Sequence, residues 1–98
     1  MTAKPLVVVD SDRLEIFVRG REIKFPPAEF AMLADLITTN KARTREELAD
    51  AAGCVHGSMS SRTVDQHIAR ARRRLGRDRD LIATIQNHGY RYEGLKKK

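Results

Sequence analysis

The chain has one cysteine, no tryptophan, three prolines and only 5% aromatic residues. A lone thiol, Cys54, excludes an internal disulfide and a cysteine-only zinc site. It reads as a loop or semi-buried thiol and fits a reducing compartment. No apolar run approaches the roughly 18 residues of a membrane span. Leu6 to Val9 is too short for a signal-peptide core, and no small-residue cleavage site follows it. Catalytic sets are missing too. His56, His67 and His88 fall in three different elements, and there is no His-x-x-x-His pair, glycine-rich phosphate loop or nucleophile motif. Neither an enzyme, a metal site nor a bound cofactor is expected.

Acid is also scarce in one half. Residues 1 to 40 carry five Lys or Arg against six Asp or Glu; residues 41 to 98 carry fourteen against seven. The formal net charge of +6 therefore sits in the second half. A basic half beside a neutral one is the electrostatic footprint of a protein that meets a polyanion. With 98 residues and an apolar fraction of 41%, the chain is expected to form a single domain, with a core over about 6–93 and loose ends at 1–5 and 94–98. The lysine tail is read as a frayed terminus that adds weak phosphate attraction.

The first elements follow from apolar alternation. Leu6 to Val9 is β-rich and stops at the turn signal Asp10-Ser11-Asp12. Leu14, Ile16 and Val18 alternate with Glu15, Phe17 and Arg19, the period of a half-buried strand. Arg19 to Glu22 makes a tight turn, and Ile23 and Phe25 continue a third strand. This predicts an antiparallel three-stranded sheet. Pro26-Pro27 ends it and opens a helix over about 27–39, with Glu29 near the positive end of its dipole. Phe30, Leu33, Ala34 and Ile37 form that helix's apolar face, and Asn40 stops it. Thr44-Arg45-Glu46-Glu47 is a capping box for a short second helix to Ala52, with Gly53 as its stop. Cys54 to Ser60 reads as a loop.

Ser60 or Ser61 caps a third helix, about 61–76, whose Val64, Ile68, Ala71 and Leu75 make one apolar stripe. Gly76 ends it, and Arg77 to Asp80 reads as a polar link. Leu81–Ile85 and Tyr90–Glu93 are β-prone runs around Gln86-Asn87-His88-Gly89, where Asn and Gly tolerate positive φ, so a hairpin is expected. Tyr90 and Tyr92 alternate with Arg91, so at least one tyrosine packs inward.

The third helix carries the chemistry. Opposite its stripe lie Arg62, Gln66, Ala69 and Arg73; on one shoulder lie Thr63, His67, Arg70 and Arg74. A helix of about 10–12 Å diameter fits the major groove. Arg62, Gln66, His67 and Arg70 are the candidates for base edges, because arginine pairs two donors with guanine and glutamine pairs similarly with adenine. Arg72, Arg73 and Arg74 are candidates for phosphates, which position a protein without specifying sequence. His67 reads as a polar contact rather than a catalytic base. A merely solvated face is the competing reading, but a helix built for solubility interleaves both signs, and Asp65 is the sole carboxylate between 61 and 77. Gln86, Asn87, His88 and Arg91, at the hairpin tip, are candidates for backbone or minor-groove contact.

The string Ser61-Arg62-Thr63-Val64-Asp65-Gln66-His67-Ile68, running on through Arg70, Arg72 and Leu75, resembles the C-terminal effector domain of OmpR/PhoB-type response regulators. So do Ile85–Tyr92, ending Gly89-Tyr90-Arg91-Tyr92, and Phe25–Leu33. The likeness covers roughly residues 6–93. It implies an α+β winged helix-turn-helix fold that binds double-stranded DNA, commonly as tandem protomers on direct repeats. It implies DNA contacts at Arg62, Thr63, His67, Arg70 and Arg72, and at Thr84 and Gln86 at the start of the wing. It also implies a polymerase-contacting loop at Gly53–Ser60.

The chain departs from the family pattern in places. No receiver domain precedes the match, so phosphorylation is not the expected switch. The N-terminal sheet is reduced from four strands to three. Pro26 replaces the usual hydroxyl cap, and Ala69 and Ala71 replace commoner arginine and leucine. Gln86 and Asn87 replace a wing arginine and glycine, which weakens the case for minor-groove insertion. The usual tryptophan near the end of helix two is absent, which weakens the case for polymerase contact.

The expectation is a bacterial or phage-type cytoplasmic regulator of transcription, reading duplex DNA through helix three with the wing, 84–91, on backbone or minor groove. The rival is a winged-helix interaction module that contacts RNA polymerase or a partner regulator. RNA binding lacks an aromatic stacking platform.

Overall fold

In a computed structural model, which describes residues 7–56 and 61–94, the alternating opening becomes three antiparallel strands. These are β1 (Val7–Asp10), β2 (Glu15–Val18) and β3 (Arg21–Lys24), in the order β1-β2-β3. Ile16 pairs with Ile23 and Val18 with Arg21, and Ile16, Val18 and Ile23 are buried, so one face of the sheet is apolar as expected. The β2–β3 turn is Arg19-Gly20, with φ of 53° and 83°. Two positive φ values are what a type I′ hairpin requires. Alternation fails at Glu15, which is buried in spite of its charge and meets Lys24 at 3.8 Å.

Helix α1 (Pro27–Thr39) starts with proline at its first position and no side-chain cap. It ends at Asn40, which has φ 53° and donates its N–H to the Leu36 carbonyl at 3.0 Å. Its buried surface is broader than the expected stripe. Ala28, Met32 and Leu36 are buried with Phe30 and Leu33, while Ala34 and Ile37 are half-buried. The cause is its central position, against both other helices and the last strand.

A two-residue strand, β4 (Arg43–Thr44), precedes helix α2 (Arg45–His56). The capping box forms as expected: the Glu47 N–H donates to Thr44 Oγ1 at 3.0 Å, and the Thr44 N–H donates to Glu47 Oε1 at 2.8 Å. The expected stop at Gly53 is wrong, since α2 continues to His56. Glycine in a helix costs about 1 kcal/mol but ends it only by taking a left-handed φ, and Gly53 is not among the glycines that do. Cys54 therefore lies in the helix rather than in a loop. Residues 57–60, the rest of the expected loop, lie outside the described residues, as do 1–5 and 95–98 of the expected loose ends.

Helix α3 (Ser61–Leu75) ends where Gly76 takes φ 61°. The supposed polar link is a 3-10 helix, Gly76–Leu81, with Asp78 buried inside it. Strands β5 (Ile82–Ile85) and β6 (Gly89–Tyr92) form the hairpin, and β4 adds to it in the order β4-β6-β5. The winged-helix order of sheet, three helices and hairpin is as expected; the strand β4 is an addition. Buried residues from both sheets and all three helices form one contiguous core.

Candidate nucleic-acid interface

Helix α3 is positioned by its apolar stripe. Val64, Ile68, Ala71 and Leu75 are each at most 1% exposed, and four such side chains contribute about 1.5–3 kcal/mol apiece for the larger ones. Its end is also pinned. Arg21, from the sheet turn, donates to the Leu75 carbonyl at 2.8 Å and to Asp78 at 3.2 Å, and Arg19 meets Asp78 at 3.5 Å. Charges at a helix C-terminus favour cations, so Arg21 satisfies a terminal carbonyl and fixes the helix against the first sheet.

The opposite face is free. Arg62, Gln66, Ala69, Arg70 and Arg73 are exposed. Arg62, Gln66, Arg70 and Arg73 make no hydrogen bond or ion pair with described residues. The placement of these candidates under other protein atoms would have ruled out a groove-reading helix; they lie in the open instead. Thr63 is half-buried and already has a partner.

The arginine cluster is not uniform. Arg72 donates from Nε and Nη2 to the Ile82 carbonyl at 3.2 and 2.8 Å, and from Nη2 to Thr84 Oγ1 at 2.8 Å, so it clamps α3 to the start of β5. Arg74 pairs with Glu29 Oε1 at 3.1 Å, and Glu29 is only 2% exposed. His67, also a base-contact candidate, is half-buried with Nδ1 enclosed, 4.0 Å from the second oxygen of the same carboxylate. Arg73 alone of the three is unengaged. Glu29 was read only as a dipole partner; nothing in its own segment signals that α3 would bring a cation and an imidazole to it.

Asp65 does not disturb the positive face, because it is neutralised locally. Arg45 Nε donates to its Oδ1 at 2.8 Å, and the Tyr90 hydroxyl donates to the same oxygen at 2.6 Å. The Tyr90 hydrogen bond holds the Asp65 carboxyl below its usual range, with Arg45 adding to it. Burial, then Asp65, pushes the Tyr90 phenol up. The Arg72 and Arg45 guanidiniums lie 5.3 and 5.7 Å from the centre of the Tyr90 ring, within cation–π reach. Three elements thus meet at one tyrosine. Arg45 was not singled out from sequence; its place beside a capping threonine gave no sign of a partner twenty residues on.

On the wing, Thr84, Gln86, Asn87, His88 and Arg91 are all exposed. The turn closes with the His88 N–H donating to the Ile85 carbonyl at 3.0 Å, and Asn87 takes φ 62°. Gly89 is needed for a different reason than turn freedom. A Cβ there would run into the Arg43 carbonyl oxygen, and would stand 3.0 Å from the Thr44 Cα, because β4 pairs closely alongside it, with Thr44 in register. Among the described residues no group of three or more His, Cys, Asp or Glu could hold a metal, and no helix is long and apolar enough to cross a membrane.

A family model described as "Transcriptional regulatory protein, C terminal" matches residues 20–92. The transcriptional regulatory protein BaeR of Escherichia coli is 30% identical over 95 residues, which cover 93% of this chain and 40% of that protein. The response regulator DrrB of Thermotoga maritima, an OmpR/PhoB homolog, superposes with a TM-score of 0.75 at 29% identity, over 95% of this chain and 44% of that one. The DNA binding domain of the response regulator AdeR, solved in complex with an intercistronic region, gives a TM-score of 0.77 at 20% identity, over 95% of this chain and 98% of that one; this is a likeness of fold. The chain spans about two fifths of the length of the curated relatives it matches.

Proposed function

The chain belongs to the OmpR/PhoB-type family of transcriptional regulatory protein C-terminal domains, and from that premise we propose that it binds double-stranded DNA sequence-specifically and regulates transcription, with α3 in the major groove. The observation that carries this reading is the polarity of α3: a fully buried stripe on one side, and on the other Arg62, Gln66, Arg70 and Arg73 exposed and uncommitted. Arg62, Gln66 and Arg70 read base edges, with Thr63 beside them. Arg73 meets phosphate, and Arg91 and the tip residues Gln86, Asn87 and His88 lie along backbone or minor groove. Arg72, Thr84, Arg74 and His67 act at the DNA surface while also holding α3 in place, so their loss would alter helix placement as well as contact.

Duplex binding should be strongly salt-dependent. If about five phosphates are neutralised, log affinity falls with log salt at a slope of roughly −4 to −5. Fluorescence anisotropy against salt measures this, and a cognate affinity indifferent to salt rejects the reading. Arg70→Ala should cost about 1–3 kcal/mol and relax specificity at one base pair; an equal loss on every sequence would move Arg70 to the phosphates. The family resemblance supports tandem protomers on direct repeats in a bacterial cytoplasm, and selection from a random duplex pool would report two half-sites at fixed spacing. Contact with RNA polymerase through 53–60 has no observation here to favour it.

A further inference from the structure

Beside the outward face of α3 lies a groove of about 320 Å³ lined by Ala69, Arg72, Arg73 and Arg79. Three of the four described residues that line it are arginines, and no carboxylate is among them. A neighbouring groove of about 360 Å³ is likewise lined by arginines, Arg70, Arg73 and Arg74, but there Arg74 is paired with Glu29. Arg19 and Arg21 meet Asp78, Arg43 meets Asp35 and Glu47, Arg45 meets Asp65, and Arg74 meets Glu29. Arg79, by contrast, is exposed on the 3-10 helix and makes no hydrogen bond or ion pair through its side chain with described residues. Its neighbour Asp78 is turned away into the sheet-turn contact.

We infer that this groove is a phosphate cradle for the DNA backbone, and that Arg79 is a DNA-contacting residue outside the recognition helix. The inference rests on the proposed DNA binding and extends it to a second element. Like charges brought together without counter-charge repel one another, and an anion entering between them removes that repulsion. Arg72 is held in place by its bonds to Ile82 and Thr84, so one side of the cradle is preorganised. The methyl of Ala69 leaves the floor open, where a longer side chain would fill it. Guanidiniums at three corners suit a phosphodiester, whose oxygens accept paired N–H donors.

The test compares Arg79→Ala, Arg79→Lys and Arg77→Ala in the whole chain, with affinity for duplex DNA measured across salt. Arg77 lies on the same 3-10 helix but does not line the groove. Arg79→Ala should weaken binding about eightfold at 0.1 M salt, equally on cognate and scrambled duplexes, and make the salt slope shallower by about 1. Arg79→Lys should restore most of the slope, and Arg77→Ala should leave it as in the wild type. An unchanged slope in Arg79→Ala overturns the inference, as does an equal change in Arg77→Ala, which would mark a net-charge effect. Micromolar binding of inorganic phosphate alone, lost in Arg79→Ala, would assign the groove to a free anion and also overturn it. A wild-type chain that fails to bind duplex at all defeats the DNA reading itself, and is told apart because it needs no variant.

Discussion

The hydroxyl of Tyr90 on the wing donates a 2.6 Å hydrogen bond to Oδ1 of Asp65 on α3. The same oxygen accepts from Arg45 at the start of α2. Helix α3 and the wing hairpin are therefore fixed to each other through the one carboxylate of α3, and that carboxylate is neutralised in the process. An uncompensated Asp65 would project negative charge next to Gln66 and Arg62, the face proposed to meet DNA.

Tyr90→Phe keeps the buried ring and removes only the hydroxyl. Asp65 retains Arg45, so the loss should be about 0.5–1.5 kcal/mol in chemical denaturation. Duplex affinity should fall uniformly across sequences, because the variant loosens the wing and unmasks Asp65 without touching a proposed base reader. A variant with lowered stability and wild-type affinity would show that the contact is structural only.

The same pair sets the pH dependence. The Asp65 carboxyl is depressed in the fold, first by Tyr90; its contribution is present above the unfolded value, about 4, and is lost as pH falls through the lower folded value. The Tyr90 phenol is raised, first by burial; its contribution is present below about pH 10 and is lost as pH rises through the higher folded value. Burial also raises Tyr92, so Tyr90→Phe should reduce the alkaline loss of stability without abolishing it. Denaturation midpoints from pH 3 to 11 in both proteins measure this, and identical alkaline limbs would contradict it.

Glu29 is the buried carboxylate beneath α3, with Arg74 at 3.1 Å and His67 Nδ1 at 4.0 Å. Glu29→Gln keeps the shape but strips the charge that holds Arg74. It should cost about 1–3 kcal/mol. Arg74→Gln leaves that buried charge with less compensation and should cost a similar amount, while the double variant should cost less than the sum of the two. A double-mutant cycle measures the coupling, and strict additivity would mean that the pair does not hold the helix.

What the sequence made legible was set by local periodicity. The alternation at Ile16 and Val18, the stripe from Val64 to Leu75 and the Thr44–Glu47 box each encode their structure within a few residues, and each forms as expected. Non-local contacts left no such trace. Arg21 reaching the end of α3, Glu29 meeting Arg74 and Arg45 meeting Asp65 all join residues 20 or more apart, and no spacing rule announces them. The arginine run 72–74 looked like one patch because sequence reports charge but not partners. Arg79 was hidden for the converse reason: between Asp78 and Asp80 it looks neutralised, yet Asp78 is committed elsewhere.

Gly89 gives the sharpest case of a residue chosen for a neighbour's backbone. As the residue after Asn87-His88 it reads as a turn glycine, but it is Asn87 that takes the positive φ, and Gly89 pairs instead with Thr44 of β4. A Cβ at 89 would collide with the Arg43 carbonyl and crowd the Thr44 Cα at 3.0 Å. The atoms it would meet are all backbone of β4, so no flexible side chain can yield. Gly89→Ala should therefore cost about 1–3 kcal/mol, whereas Asn87→Gly, which relaxes the left-handed position, should be close to neutral. Because β4 leads directly into the capping box of α2, the damage should spread: hydrogen exchange should quicken at Thr44 and Glu47 as well as along β6. Exchange that quickens in the 85–89 turn alone would mean that Gly89 serves the turn and not the strand across it.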